Sequence, residues 1–127
     1  MNWIFVGVGG FLGSVARYGV STIFQRLAGI TAFPYGTLAV NVLGCAAIGF
    51  LSQVAETRGI LREEVWALMV VGFLGGFTTF STFGNETYNL FRGQQAVVGL
   101  LNLGIQIGLG LAAVGLGRML ANWIWPA

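Results

Sequence analysis

Four long stretches without a charged residue divide this chain. They extend over Met1–Ala16, Leu27–Ala55, Val65–Asn85 and Gly93–Gly117. Because a helix needs roughly 20 predominantly apolar residues to cross a bilayer, each stretch is near or above the length of a membrane span. The sequence therefore predicts an all-α membrane protein of four transmembrane helices, in a single domain over residues 1–127 with no room for a soluble domain.

The boundaries of these helices follow from breakers and polar links. We expect the helices at about residues 3–27, 35–54, 65–91 and 96–125. Gly29 ends the first, and Pro34 suits the first turn of the second. Residues 56–64 form the only strongly polar link. The first stretch lacks the basic start of a signal peptide and continues through Arg17, so we interpret it as a membrane helix.

Composition excludes several kinds of chemistry. The chain has no histidine or lysine, and Cys45 is its only cysteine. Metal sites of His and Cys, Ser-His-Asp catalysis, Schiff bases and disulfides within the chain are therefore excluded. The glycine-rich stretch lacks the lysine of a phosphate-binding loop. Six arginines are too dispersed to bind nucleic acid. We expect neither an enzyme nor a nucleic-acid partner.

The third stretch contains the most unusual segment, Gly72–Phe83, which reads GFLGGFTTFSTF. Glycine and threonine lower helix propensity in the middle of a helix. In a membrane, a broken helix is tolerated where the freed carbonyl groups face protein or an ion, and glycine allows two backbones to approach closely. We therefore predict a break near Gly75–Thr79 in which the Gly75-Gly76 pair interrupts the helix, and we interpret it as an ion site first and a packing seam second.

Polar side chains inside the spans are functional candidates because each is costly there. They are Arg17, Thr37, Asn41, Glu86, Asn102 and Gln106. Arg17 either extends to the lipid headgroups or faces a wet cavity that attracts anions. Thr37 and Asn41 are four residues apart and share a helix face, where they serve an interhelical hydrogen bond or an anion. Glu86 is either solvated at the mouth of a span or paired with Arg17.

The arginines give almost no orientation signal. Three of them, Arg58, Arg62 and Arg118, are expected on the side that holds both termini, and two, Arg26 and Arg92, on the other. Positively charged loops normally face the cytoplasm. A ratio of three to two either still fixes one orientation or lets the protein insert both ways, which would allow an antiparallel dimer.

Pairs of glycines four residues apart provide surfaces for close helix packing. They occur at Gly9/Gly13, Gly72/Gly76 and Gly104/Gly108. Each pair serves a contact within the chain or a contact with a second copy. A chain of four helices cannot easily enclose a pore within itself, so we expect some pairs to face a second subunit.

Three segments together resemble the Fluc/CrcB family of fluoride channels. They are GSVARY on the first helix, GTLAVNVLG on the second and GGFTTFSTF on the third. The resemblance extends over all four helices, their order and the total length. It implies antiparallel, dual-topology homodimers in the plasma membrane, or inner membrane, with two pores that passively export fluoride from the cytoplasm.

The resemblance also implies roles for individual residues. The fluoride pathway would comprise Asn41, Phe80, Phe83, Thr37, Ser81, Thr82 and Gln106, with Arg17 in the vestibule. An aromatic ring has a positive edge, so a phenylalanine can meet a fluoride ion without holding it as tightly as a fixed cation would. The backbone carbonyls of Gly75 and Thr78 from both copies would ligate a structural Na⁺ at the dimer centre.

One departure and two rival functions remain at this point. The family often has polar groups along the fourth helix, whereas Gly110 and Val114 follow Gln106 in register here. A small multidrug transporter would need an acid within its first helix, and this chain has none before Glu56. A non-transporting scaffold would explain the glycine pairs but gives Asn41 no role.

Overall fold

Four membrane-spanning helices make up the computed structural model, which describes residues 2–59 and 62–126. They are α1 (Asn2–Ala28), α2 (Tyr35–Arg58), the third span (Glu63–Arg92) and α6 (Ala96–Ile124). All four are long and apolar enough to cross a membrane, and no strand occurs within the described ranges. The predicted all-α membrane fold is confirmed. Positions 60 and 61 of the polar link, and positions 1 and 127, lie outside the described residues.

The third span consists of four helical pieces around one extended segment. It begins with α3 (Glu63–Trp66), continues as a π-helix (Ala67–Leu74) and ends its first half with α4 (Gly75–Phe77). After two extended residues it resumes as α5 (Phe80–Arg92). The π-helix was not predicted from the sequence. Such segments have wider turns than an α-helix and are frequent at functional sites.

The break in the third span lies at Thr78 and Thr79. Thr78 has φ −84° and ψ 162°, and Thr79 has φ −153° and ψ 111°, so both are extended. This is within the predicted range of 75–79. The expectation that Gly75 and Gly76 themselves form the break is wrong, because both are helical. Gly76 instead provides close packing, since a methyl group there would collide with the Gly10 carbonyl oxygen.

Glycines bring α1 against the third span and α2 against α6. A methyl group on Gly13 would collide with the Phe73 carbonyl, and one on Gly49 with the Val114 carbonyl. The predicted pairs Gly9/Gly13 and Gly72/Gly76 therefore serve contacts within the chain. The pair Gly104/Gly108 does not, because its added methyl groups would meet nothing within 4 Å.

The ends of the helices match the sequence expectations to within about a turn. α2 extends to Arg58 rather than stopping near residue 54. Arg118 of α6 explains the extra turn, because its guanidinium donates to both carboxylate oxygens of Glu56 at 2.8 Å and to Gln53 at 3.0 Å. Gly59 then ends α2 in a left-handed conformation, with φ +57° and its N–H donating to the Ala55 carbonyl.

Candidate functional site

Asn41 of α2 holds the break in the third span. Its Oδ1 accepts a hydrogen bond from the Thr79 N–H at 2.9 Å, and its Nδ2 donates to the Thr79 carbonyl at 3.2 Å. The same Nδ2 donates to Gln106 Oε1 on α6 at 3.1 Å. One amide thus replaces the two backbone partners that an intact helix would give Thr79, which explains how a break is stable at membrane depth.

Arg17 reaches the same break from α1. Its Nη1 donates to the Thr78 carbonyl at 3.5 Å, and the residue is half-buried. The side chain therefore points into the protein toward the break and does not extend to the lipid headgroups. Its positive charge lies against the end of α4, where the free carbonyl groups of a helix carry partial negative charge.

A cavity of about 360 Å³ surrounds Arg17, and we call it the Arg17 cavity. Its lining residues come from α1, α2 and the region after the break: Ser14, Arg17, Tyr18, Ser21, Thr37, Val40, Thr79, Ser81 and Thr82. Seven of these nine carry a hydroxyl, and Arg17 is the only charged residue among them. The Arg17 cavity is therefore polar and positively charged, which favours an anion.

The hydroxyl groups of this cavity are not equally free to donate. Thr37 Oγ1 donates to Glu86 Oε1 at 2.8 Å, so its proton is already used. Glu86 is therefore paired with Thr37, which neither sequence alternative for this acid anticipated. Thr79 Oγ1 donates to Thr82 Oγ1 at 2.9 Å and accepts from the Thr82 N–H at 3.2 Å, as the N-cap of α5. The proton of Thr82 is left available to a ligand.

A second cavity of about 440 Å³ shares Thr79 with the Arg17 cavity, and we call it the outer cavity. Its lining includes Asn41, Gly75, Phe80, Phe83 and Gln106. The two phenylalanine rings are tilted by 60° with their centroids 5.6 Å apart. Phe83 is only 7% exposed, whereas Phe80 is 82% exposed and projects from the single chain. The structure thus brings the phenylalanines and Asn41 together around one cavity.

The fourth helix contributes two buried amides to this region. Gln106 is 8% exposed and contacts Asn41, while its Nε2 has no hydrogen-bond partner among the described residues. Asn102, one turn earlier, is fully buried and donates to Thr87. The next two positions in register do not continue a polar row. Gly110 lies beside Cys45, and the carbonyl of Val114 lies against Gly49.

The backbone around Gly75 and Thr78 provides oxygen atoms suited to a hard cation. In a continuous helix the Thr79 N–H would donate to the Gly75 carbonyl, but here it donates to Asn41. Gly75 is exposed, and its surroundings are open to at least 4 Å from an added methyl group. The Thr78 carbonyl accepts the long contact from Arg17 and keeps a second lone pair. Gly75 therefore fits a sodium ligand better than Thr78 does.

Sequence reasoning missed several residues that line this site. Thr79 caps α5 and is held by Asn41, and its spacing to Thr82 is that of a helix cap, a signal that was present in the sequence. Ser14, Tyr18 and Ser21 line the Arg17 cavity with Arg17. Their spacing of three and four residues places them on one face of α1, which the sequence also contained.

Fold and site together define a small multi-pass membrane protein with an anion-attracting cavity beside a broken helix. The family model described as "CrcB-like protein, Camphor Resistance (CrcB)" matches residues 4–118, and the chain belongs to this family.

Relatives match over most of their length. A "Fluoride-specific ion channel FluC" of Ruminiclostridium cellulolyticum is 43% identical over 124 residues, covering 98% of this chain and 95% of the relative. One of Sorangium cellulosum is 41% identical over 121 residues, covering 95% and 94%. One of Rhizobium etli strain CIAT 652 is 46% identical over 109 residues, covering 86% of each.

Proposed function

We propose that this protein is a fluoride-selective channel of the plasma membrane that lets fluoride leave the cytoplasm passively, and that it is not an enzyme. Its relatives are named as fluoride-specific ion channels. The single observation that supports an anion path most strongly is the Arg17 cavity. It combines one fixed positive charge with hydroxyl donors and ends at the Asn41–Thr79 contact.

The proposed pathway leads from the Arg17 cavity past Asn41 to Phe80 and Phe83. Thr82 supplies a free hydroxyl donor on the first side, and Ser81 supplies another when its hydroxyl turns away from Thr79 Oγ1, which lies 3.3 Å from it. Gln106 has a free amide N–H on the second side. Fluoride is strongly hydrated, so neutral donors and ring edges at close range would offset the loss of water. Because none of these groups beyond Arg17 is a cation, the ion can also leave. Thr37 joins the pathway when its hydroxyl turns away from Glu86.

A second, antiparallel copy would complete this pathway. The exposed ring of Phe80, the exposed Gly75 and the outer cavity lie on one face of the chain, which supports an interface there. An antiparallel arrangement agrees with the arginine ratio of three to two. Adding three arginines after Trp125 is expected to force one orientation and reduce activity. Full activity from a preparation shown to insert uniformly one way would contradict dual topology.

A structural Na⁺ at the centre of this dimer would be held by the carbonyl oxygens of Gly75 and Thr78 from each copy. A hard cation prefers oxygen ligands, and its charge would offset the carbonyl dipoles that converge at the two breaks. Two chain features support the site: the diversion of the Thr79 N–H to Asn41, and the open space beside Gly75.

Fluoride efflux from liposomes tests the proposed function. Purified protein is reconstituted into vesicles that are loaded with fluoride or with chloride. An ion-selective electrode then measures the anion that leaves the vesicles once an ionophore for the counter-cation prevents a membrane potential from opposing efflux. We expect rapid fluoride efflux and chloride efflux close to that of empty vesicles. Equal efflux of both anions would refute selectivity. Efflux of neither would favour a scaffold, and drug-driven proton exchange would favour a multidrug transporter.

A further inference from the structure

Two buried side chains behind Phe83 form a hydrogen-bond relay. Asn102 Nδ2 on α6 donates to Thr87 Oγ1 at 2.8 Å, and Thr87 Oγ1 donates to the Phe83 carbonyl at 2.8 Å. Asn102 is fully buried, and Thr87 and Phe83 are 5% and 7% exposed. The directions are consistent, because the Thr87 oxygen accepts from the amide and its single proton goes to the carbonyl.

Ordinary packing does not account for an amide at position 102. Asn102 Oδ1 has no hydrogen-bond partner among the described residues. Leaving a buried acceptor unpaired costs about 1–3 kcal/mol, which an apolar residue of similar volume would avoid. The gain must come from the donor side of the amide, which among the described residues donates a hydrogen bond only to Thr87.

We propose that Asn102 and Thr87 are positioning residues for Phe83, which keep its backbone carbonyl inside the α5–α6 contact so that its ring borders the ion path. This inference rests on the proposed fluoride pathway. A carbonyl oxygen is partially negative and repels an anion, whereas a ring edge is positive. A threonine hydroxyl bonded to the carbonyl four residues earlier also bends a helix slightly and thereby sets the angle of that turn.

The position of the relay on α6 supports this role. Asn102 and Gln106 are one turn apart on the same buried face. Gln106 holds Asn41 of α2, and Asn102 holds Phe83 of α5 through Thr87. α6 therefore holds two of the pathway residues that line the outer cavity, Asn41 of α2 and Phe83 of α5.

Fluoride efflux from the purified dimer tests the relay. Thr87→Val removes the hydroxyl at nearly constant volume, and Thr87→Ser retains it. Because both hydrogen bonds of the Thr87 hydroxyl are lost, we expect Thr87→Val to slow efflux by about fivefold to a hundredfold. Thr87→Ser should stay within about twofold of the parent. If Thr87→Val does not fold, Asn102→Leu removes the first hydrogen bond of the relay alone, and it should slow efflux by about threefold to tenfold.

A double-mutant cycle separates positioning from general stabilisation. In a Phe83→Ile background, Thr87→Val should have no further effect, because the ring that it orients is absent. In a Gly19→Ala background, where the added methyl group meets nothing within 4 Å, it should slow efflux by the same factor as in the parent. Equal effects in both backgrounds, or a loss of thermal stability without any change in efflux, would overturn the proposal.

A readout independent of transport distinguishes failure of the relay from failure of the proposed function. A single 4-fluorophenylalanine at position 83 gives one ¹⁹F NMR line. Thr87→Val should broaden or shift this line, and Thr87→Ser should not. An unchanged line in Thr87→Val refutes the relay whether or not the protein conducts. If the parent protein conducts no fluoride but its ¹⁹F line changes in Thr87→Val, the proposed channel function is refuted and the relay is not.

Discussion

Replacing Asn41 with aspartate tests whether this residue supplies donors to an anion. The two side chains have the same shape, so packing is retained. In the parent, Asn41 Nδ2 donates to the Thr79 carbonyl at 3.2 Å and to Gln106 Oε1 at 3.1 Å. In the variant, one carboxylate oxygen would still accept from the Thr79 N–H, but the other would face these two acceptors. Two contacts would therefore change from attractive to repulsive.

The size of the effect follows from these contacts. Gln106 can rotate its amide and present Nε2, which has no partner among the described residues, so one contact is recovered. The Thr79 carbonyl loses its Asn41 donor and faces a carboxylate oxygen instead, at a cost of about 1–3 kcal/mol in stability. A carboxylate about 4 Å from a passing fluoride adds about 4 kcal/mol to its barrier at an intermediate effective dielectric constant. Such a barrier slows passage about 1,000-fold.

The assay combines fluoride efflux with dimer mass by light scattering on the same preparation. We expect Asn41→Asp to keep the parent's mass by light scattering, to unfold at a lower temperature and to conduct fluoride about 1,000-fold more slowly. The matched control is Asn122→Asp, the same chemical change at an exposed position near the end of α6. Efflux near the parent rate in a folded Asn41→Asp dimer would refute the reasoning.

Three further experiments test the packing, the pore and the sodium site. Gly13→Ala should destabilise the protein by about 1–3 kcal/mol, since its methyl group meets the Phe73 carbonyl, whereas Gly19→Ala meets nothing and should be neutral in thermal unfolding. Phe80→Ile should leave the dimer intact but suppress fluoride efflux, because it removes the ring edge and keeps apolar bulk; parental efflux would exclude Phe80 from the path. In Gly75→Val the added Cβ meets nothing within 4 Å inside the chain, so a drop in mass by light scattering would report a facing copy. Thr78→Ser should keep the parent's mass, because it retains the hydroxyl that donates to the Leu74 carbonyl. A Gly75→Val protein with parental dimer mass and sodium affinity would contradict the proposed sodium site.

The number of spans could be predicted because hydropathy and length alone decide it. Arg17 and Asn41 could be singled out for a similar reason, since any polar group at membrane depth needs a partner. What the sequence could not give was the identity of those partners. Helical spacing indicates which face a side chain occupies, but the Thr78 carbonyl beside Arg17 depends on how two spans cross.

The exact position of the break also lay beyond the sequence. Gly75-Gly76 and Thr78-Thr79 are both poor helix formers, so propensity does not choose between them. The choice depends on α1, which packs against Gly76, and on Asn41, which replaces the hydrogen bonds of Thr79. Both are contacts between elements that are distant in the chain.

Electrical recording of the reconstituted protein tests the central claim most directly. With a tenfold fluoride gradient across a planar bilayer and chloride as the balancing anion, a fluoride-selective path predicts zero current at about 59 mV, the equilibrium potential of fluoride. This voltage should not move when chloride on one side is changed tenfold. A zero-current voltage that follows the chloride or the cation gradient would contradict the account.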